Sequence, residues 1–528
     1  MTRQQILAEL KSANARFDVV IIGGGITGAG AAREAAGSGL RTLLVEQKDF
    51  AWGTSSRSSK MVHGGLRYLG SGHIGLARDA VRERQRMMAE APGLVDPLRF
   101  VMPHYRGQFP GPRLFQALLS VYDRLAGVRS RQRLTPSQTQ QWAPGLRQSK
   151  LLGASLFTDA LTDDSRLVQR LIAEASRDGA LCLNYVSANR ITRDEAGNVN
   201  GVVLVPEGEL LEAGISVSAS MVINATGAWA DKLQQQDPSE QPLSIRPLRG
   251  SHLVVPWQRL PVTCAVSLFH PEDKRPVFAF PWAGTTVLGT TDLDHPGSLD
   301  KEPVINEQEV RYLLKVAEHL FPGASLTAQD VISTWAGVRP VVTDGQGKAP
   351  SRENREHALR RDKGLISVAG GKLTTFRQIA REALEAALGP DGSHRLRADD
   401  QPVFTPPADL PRPTQVRHLT WHRLKGYYGP ALGELCRDAD VTEIADSGVL
   451  WAELEWACQY EQVHHLDDLL LRRTRLGLVC PAGARALLPD IKERCQRRLG
   501  WTNDHWQWEV ERYLALYQQA YALPSEGR

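Results

Sequence analysis

The sequence predicts an α/β protein: a Rossmann-like nucleotide-binding domain assembled from discontinuous segments, a mixed-sheet second domain, and a helical C-terminal domain. Three observations carry this reading. Residues 17–22, FDVVII, form a β-branched run followed at once by GGGITGAG, a helix-like AAREAAGSG and a second apolar run, RTLLVE. That order, strand–turn–helix–strand, is what a dinucleotide-binding unit requires. Two later runs, MVINATG (221–227) and LISVAGG (365–371), are of the same type, so the sheet collects segments far apart in sequence. Between them SHLVVP, VFAFPW and TVLGTTD are short strands punctuated by Gly and Pro, as in an antiparallel sheet. Towards the end, VLWAELEWACQYE and HHLDDLLLRRTRLGL place apolar residues at helical spacing.

A chain of 528 residues is too long for one ordinary core. The predicted boundaries are 15–100, 150–234 and 351–395 for the nucleotide-binding domain, and 101–149 with 235–350 for the second, substrate or cap, domain. A linker rich in Pro and Asp follows at 396–413, then the helical domain at 414–528. A net charge of only +4 argues against a nucleic-acid partner. The six cysteines (182, 264, 436, 458, 480 and 495) include no C-x-x-C pair. That argues against a thiolate zinc site or an iron–sulfur cluster, and for a reducing compartment; no metal ligands are assigned. The N-terminal MTRQQILAELKSANARF is polar and helix-like, unlike a signal or transit peptide. No run of about 18 apolar residues occurs, so membrane contact is expected to be peripheral.

Gly23, Gly25 and Gly28 make G-x-G-x-x-G between strand and helix. The first permits a tight turn, the second lets backbone approach a pyrophosphate, and the third allows close helix–strand packing. Glu46 ends the second strand, where an acid binds ribose hydroxyls and favours FAD or NAD over NADP.

Further motifs follow in order: TSSRSSKMVHGGLRYL (54–69), INATGAW (223–229), WAGVRP (335–340) and GGKLTTFR (370–377). Together they resemble the D-amino-acid-oxidase-like flavoprotein superfamily. HGGLRYL, GVRP and GGKLTT resemble its FAD-dependent glycerol-3-phosphate dehydrogenase branch. The resemblance spans residues 15 to about 390, and more loosely YEQVHHLDDLLLRRTRLGL. It implies non-covalent FAD, with Gly23, Gly25, Gly28 and Glu46 on the ADP half. Thr54, Ser55, Ser59 and Lys60 are implied beside the pyrophosphate and flavin. Ala225, Thr226 and Gly227 are implied to close over the nucleotide, and Gly371, Lys372, Leu373 and Thr374 to run beside the flavin ring.

The implied substrate is sn-glycerol 3-phosphate, oxidised to dihydroxyacetone phosphate. Its dianion calls for Arg in fork geometry and further donors; Arg67, Tyr68, Arg339 and Lys372 supply them from distant motifs. Loss of hydride at C2 needs a base for the hydroxyl proton. His63 is one candidate; the other is water, with Arg339 stabilising the alkoxide.

The electron acceptor is expected to be ubiquinone or menaquinone, at the cytoplasmic face of a bacterial inner membrane. Residues 112–126 offer a docking helix, with Leu114, Phe115, Leu118, Leu119, Val121, Tyr122 and Leu125 largely on one face. Arg106, Arg113, Arg124, Arg129, Arg131 and Arg133 lie along or beside it. Packing of the same helix on the core is the competing expectation. A soluble oxidase using oxygen and an amine or amino-acid oxidase of the same fold are the alternative activities. A flavin-binding scaffold without turnover is a third. A homodimer stays open.

Overall fold

The computed structural model describes residues 1–12, 15–70, 72–210, 214–235, 244–343 and 357–524, without the side chains of Arg67, Gln234, Gln235 and Leu268. Two sheets organise it. In the first, the strands run in the order Ala358–Asp362, Leu365–Ala369, Ile215–Asn224, Arg16–Ile22, Thr42–Val45 and Leu181–Leu183, with Val186–Arg193 and Val199–Pro206 added as an antiparallel pair. The four neighbouring pairs from Leu365–Ala369 through to Leu181–Leu183 are parallel. A strand covered on both faces needs apolar side chains on both, which is why Val19, Val20 and Ile21 are wholly buried. Helices Ile26–Gly37, Asp164–Arg177 and Phe376–Leu388 contribute Ala32, Leu171 and Ala380 to the core against one face.

The second sheet has strands Ile245–Pro256, Thr285–Gly289, Pro276–Trp282, Ala265–Phe269, Val95–Tyr105, Leu151–Thr162 and Met61–Val62 in spatial order, with Ser333–Val342 paired to the first of them. Nearly all its pairs are antiparallel; Ala265–Phe269 beside Val95–Tyr105 is parallel. This differs from the boundaries read in sequence. Met61–Val62, the first half of Val95–Tyr105 and the whole of Leu151–Thr162 belong to this sheet, although they fall within 15–100 and 150–234. Long pairing decides the matter: Val95–Tyr105 and Leu151–Thr162 are in register from Val95 opposite Thr162 to His104 opposite Gly153.

The expected linker is also not free chain. Val403 and Phe404 are buried in the nucleotide-binding core, and Arg33 donates to the Val403 carbonyl at 2.8 Å. The C-terminal region is helical as expected, with Trp451–Tyr460 and Asn503–Ala520 among its helices. Asp468–Arg473 is a π-helical segment with all six residues buried.

The arginines in and just after it turn inward. Arg473 donates to both oxygens of Asp49 at 2.6 and 2.7 Å, and Arg472 reaches Asp49 at 2.5 Å. Arg475 donates to Asp163 at 2.9 Å and to Asp164 at 2.5 Å. Burial pushes the Asp49 and Asp163 carboxyls up, but the guanidiniums beside them hold both below the ordinary value. Removing one partner leaves a buried charge uncompensated, which costs about 3–5 kcal/mol. Arg475→Ala should therefore lower the urea midpoint strongly, whereas Arg41→Ala, which breaks a solvent-exposed pair with Glu9, should leave it nearly unchanged. Equilibrium unfolding of both variants checks this.

Candidate active site

One cavity of about 1650 Å³ collects the motifs. That is larger than the roughly 300–1,000 Å³ of a usual small-ligand pocket, so it has room for a dinucleotide and a second small molecule. Its floor begins at the glycine turn. Gly23 has φ +111°, and a Cβ there would stand 2.6 Å from the Ala225 carbonyl oxygen; a Cβ on Gly28 would stand 1.8 Å from that of Gly23. Gly28 accordingly packs the helix onto the strand and does not line the cavity, whereas Gly23 and Gly25 do.

Gly25 caps the helix Ile26–Gly37 without a side-chain hydrogen bond, so the helix N-terminus opens towards the cavity with its partial positive charge. Ser55 Oγ accepts from the Ile26 N–H at 2.9 Å. Glu46 accepts from the N–H groups of Gly24 and Lys48 at 2.7 and 2.9 Å. Burial pushes its carboxyl above the ordinary range, against those hydrogen bonds. Ala225, Thr226 and Gly227 form another part of the wall. A close glycine cradle, a helix N-terminus whose cap residue is a glycine and an acid at the second strand end fit the diphosphate and ribose of FAD.

The distant motifs touch one another around this cavity. Thr54 Oγ1 donates to the Val338 carbonyl and Trp335 Nε1 to that of Ser58, joining TSSRSSK to WAGVRP. Thr374 Oγ1 donates to the His63 carbonyl at 3.1 Å, and the Lys372 ammonium lies 3.2 Å from the centroid of the Tyr68 ring, joining GGKLTT to HGGLRYL. Thr54, Ser55, Ser59, His63, Tyr68, Arg339, Gly371, Lys372, Leu373 and Thr374 all line the cavity. The Arg67 side chain lies outside the described residues.

Lys60 does not line it. Its ammonium is fully buried, donates to Asp164 at 2.8 Å and to the Ser56 carbonyl at 2.7 Å, and lies over the Trp335 ring. Burial pulls its pKa down to about 8, with Asp164 opposing. Lys60 shares Asp164 Oδ1 with Arg475, so the lysine turns inward and braces the loop from behind.

Several site residues carry no local sequence signal of the kind the motifs gave. His63 Nδ1 lies 3.0 Å from Asp159 Oδ2, whose other oxygen accepts from Arg84, Tyr122 and the Gly64 N–H. Burial pushes Asp159 up, but the His63 hydrogen bond and Arg84 hold it below the ordinary value. An ionised partner makes Nδ1 the protonated nitrogen, which leaves the Nε2 lone pair for the cavity. An acid inside the apolar strand LLGASLFTDALT was the available clue. Arg339 is oriented by Asp292 at 3.1 Å, and Asp292 also holds Arg275 at 3.2 Å. Lys274 and Arg275 line the same cavity. Ser59 meets His252 Nε2 at 2.9 Å; burial holds that imidazole neutral, stacked on Trp335.

The helix Pro112–Ala126 turns part of its apolar set inward and leaves part exposed. Phe115, Leu119 and Tyr122 are buried in the core, so this portion packs inward. Leu114 and Val121 remain 54% and 45% exposed, and Phe109 just before the helix 81%. Phe115 and Leu118 line the cavity, so the helix is also part of its wall. All six flanking arginines are exposed, and Arg131 also reaches Asp123 at 3.4 Å. Among the described residues no helix is long and apolar enough to cross a membrane.

This fold and this site define a flavin-dependent oxidoreductase. The chain belongs to the FAD dependent oxidoreductase family, whose sequence model matches residues 18–401. A second model, the C-terminal domain of alpha-glycerophosphate oxidase, matches residues 375–505. The chain is 32% identical over 504 residues to an aerobic glycerol-3-phosphate dehydrogenase of Staphylococcus aureus (strain USA300), covering 89% of this chain and 88% of the relative. Among solved structures it matches the glycerol-3-phosphate dehydrogenase from Bacillus halodurans complexed with FAD, with TM-score 0.75, 27% identity and 97% of each chain covered. L-alpha-glycerophosphate oxidase from Mycoplasma pneumoniae shares the fold, with TM-score 0.56 at 18% identity over 73% of this chain and 97% of that one.

FAD is therefore the cofactor. Gly25→Val should lose it: a Cβ at Gly25 already meets Ser55 Oγ at 3.1 Å, and the branches would enter the anion cradle. Protein purified in parallel with wild type should be folded and nearly colourless, as acid release and quantification of FAD will record.

Proposed function

We propose that the protein oxidises sn-glycerol 3-phosphate to dihydroxyacetone phosphate and delivers the electrons to a membrane quinone. The observation that carries this reading is a single cavity uniting the nucleotide cradle with the His63–Asp159 pair and with Lys274, Arg275, Arg339 and Lys372. Four cations exceed what a lone carboxylate needs and suit a phosphate dianion. This favours a phosphorylated alcohol over an amino acid, and the names of the relatives agree with it. When bound, FAD supplies the acceptor for the hydride leaving C2 of the substrate. The protein's part is to hold the phosphate, fix C2 in place and take the hydroxyl proton. His63 Nε2 takes that proton, and Asp159 steadies the imidazolium that forms. The Phe100 and Phe278 rings pack against the imidazole, with centroids at 5.8 and 5.9 Å.

Arg339→Ala should raise KM for glycerol 3-phosphate about ten- to a hundredfold, the loss of a charge-assisted contact of roughly 1.5–3 kcal/mol. His63→Asn should instead slow flavin reduction with little change in binding. Stopped-flow reduction across a substrate series separates the two. Retention of wild-type reduction and pH dependence by His63→Asn would move the proton to water.

Delivery to quinone brings the helix Pro112–Ala126 to the bilayer surface. Its inner side walls the cavity; its outer side offers Leu114 and Val121, and Phe109 just before it adds to them, among arginines. Each arginine adds about 1 kcal/mol near anionic lipid, a contribution that salt weakens. The triple variant Phe109→Ser, Leu114→Ser, Val121→Ser should sediment less with anionic liposomes and lose quinone activity, yet keep activity with a soluble dye. Undiminished sedimentation would place the docking surface elsewhere.

A further inference from the structure

We propose that His464, His465 and Glu207 form a binding site for a divalent cation of the zinc type, at the seam between the helical C-terminal domain and the nucleotide-binding domain. Their ligand atoms all lie within 4.8 Å of one another. Glu207 Oε2 stands 3.8 Å from His464 Nε2 and 3.6 Å from His465 Nε2. Both separations are too long for good hydrogen bonds. They approach the edge of a tetrahedron, about 3.3–3.4 Å for ligands at roughly 2.0–2.1 Å from one ion. The absence of a C-x-x-C pair argues against thiolate zinc sites; it does not bear on a site of imidazole and carboxylate.

The surroundings preorganise these groups. Glu509, from the helix Asn503–Ala520, is fully buried and accepts from His465 Nδ1 at 2.6 Å. With Nδ1 engaged by Glu509, Nε2 faces Glu207 and would be the ligating nitrogen once an ion displaces its proton, the carboxylate–histidine arrangement that orients metal ligands. The same Glu509 accepts from the Leu466 N–H at 2.9 Å. Asp468 Oδ2 accepts from the N–H groups of both histidines at 2.8 and 2.9 Å, so both backbones are pinned. The Tyr185 ring packs against both imidazoles, with centroids at 4.8 and 5.1 Å. Glu207 directly follows the strand Val199–Pro206, and its N–H donates to the Tyr185 carbonyl.

Two imidazoles and one carboxylate select zinc or a neighbouring transition ion; magnesium and calcium prefer oxygen alone. A fourth position stays open to water. The ion would join a strand end of one domain to the segment that leads into the buried arginines of the other.

The test uses holoenzyme stripped with a chelator and titrated calorimetrically with Zn²⁺ at neutral pH. One ion per chain should bind saturably and raise the thermal unfolding midpoint, because a ligand of the folded state stabilises it. Magnesium should not compete. His464→Ala and Glu207→Ala, both at exposed positions, should each weaken binding at least about tenfold and remove the thermal shift. Glu509→Gln should weaken it by about ten- to a hundredfold as an outer partner. His422→Ala, an exposed histidine paired with Asp96, should bind like wild type. No saturable binding to wild type, or equal affinity in His464→Ala and Glu207→Ala, would overturn the assignment and leave His465 bridging two carboxylates without an ion.

Discussion

Asp163 and Asp164 lie side by side inside the protein, and two adjacent buried carboxylates persist only where cations meet them. Arg475, from the C-terminal domain, meets both, and Lys60 donates to the same oxygen of Asp164 as Arg475 does. Asp164 also accepts from the N–H and hydroxyl of Ser58. Arg475 reaches the Ser56 carbonyl as well. The loop carrying Thr54, Ser55 and Ser59 to the cavity is thus fastened from behind by a charge network that the C-terminal domain completes. Asp163 adds a further constraint by capping the helix Asp164–Arg177 through the Arg166 N–H.

The rest of the site follows from that fixed loop. Ser55 reaches the helix start at Ile26, Thr54 and Ser58 join the strand bearing Arg339, and the chain then leads on to His63. The imidazole is in turn held by Asp159 of the second sheet and, through its backbone, by Thr374. Each functional group is therefore positioned by elements from more than one domain. The C-terminal domain contributes no side chain to the cavity wall among the described residues; its influence on the site runs through buried charge.

How much of this could be read from sequence depended on whether a signal was local. The strands FDVVII, RTLLVE and LISVAGG are legible because a short apolar run needs no distant partner to be recognised. The glycine turn and Glu46 are legible for the same reason. The strand Val95–Tyr105 is not, because its two prolines, Arg99 and Asp96 break any simple pattern, and its identity comes from pairing with Leu151–Thr162. Asp159 is 96 residues from His63, so only the fold brings them together. Arg472, Arg473 and Arg475 lie in a stretch whose helical spacing is readable, yet a triple of arginines looks like surface until Asp49, Asp163 and Asp164 are found opposite. Lys60 misleads in the same way: its place in the motif suggests the cavity, while its charge is needed inside.

The central claim is that this site oxidises a phosphorylated secondary alcohol at the expense of its flavin. Anaerobic titration of the holoenzyme with sn-glycerol 3-phosphate, without any acceptor, tests it most directly. The account predicts that glycerol 3-phosphate bleaches the flavin absorbance and yields dihydroxyacetone phosphate in equal amount, while glycerol and amino acids leave the spectrum unchanged at the same concentration. An unbleached flavin, or equal bleaching by glycerol or by an amino acid, would contradict it.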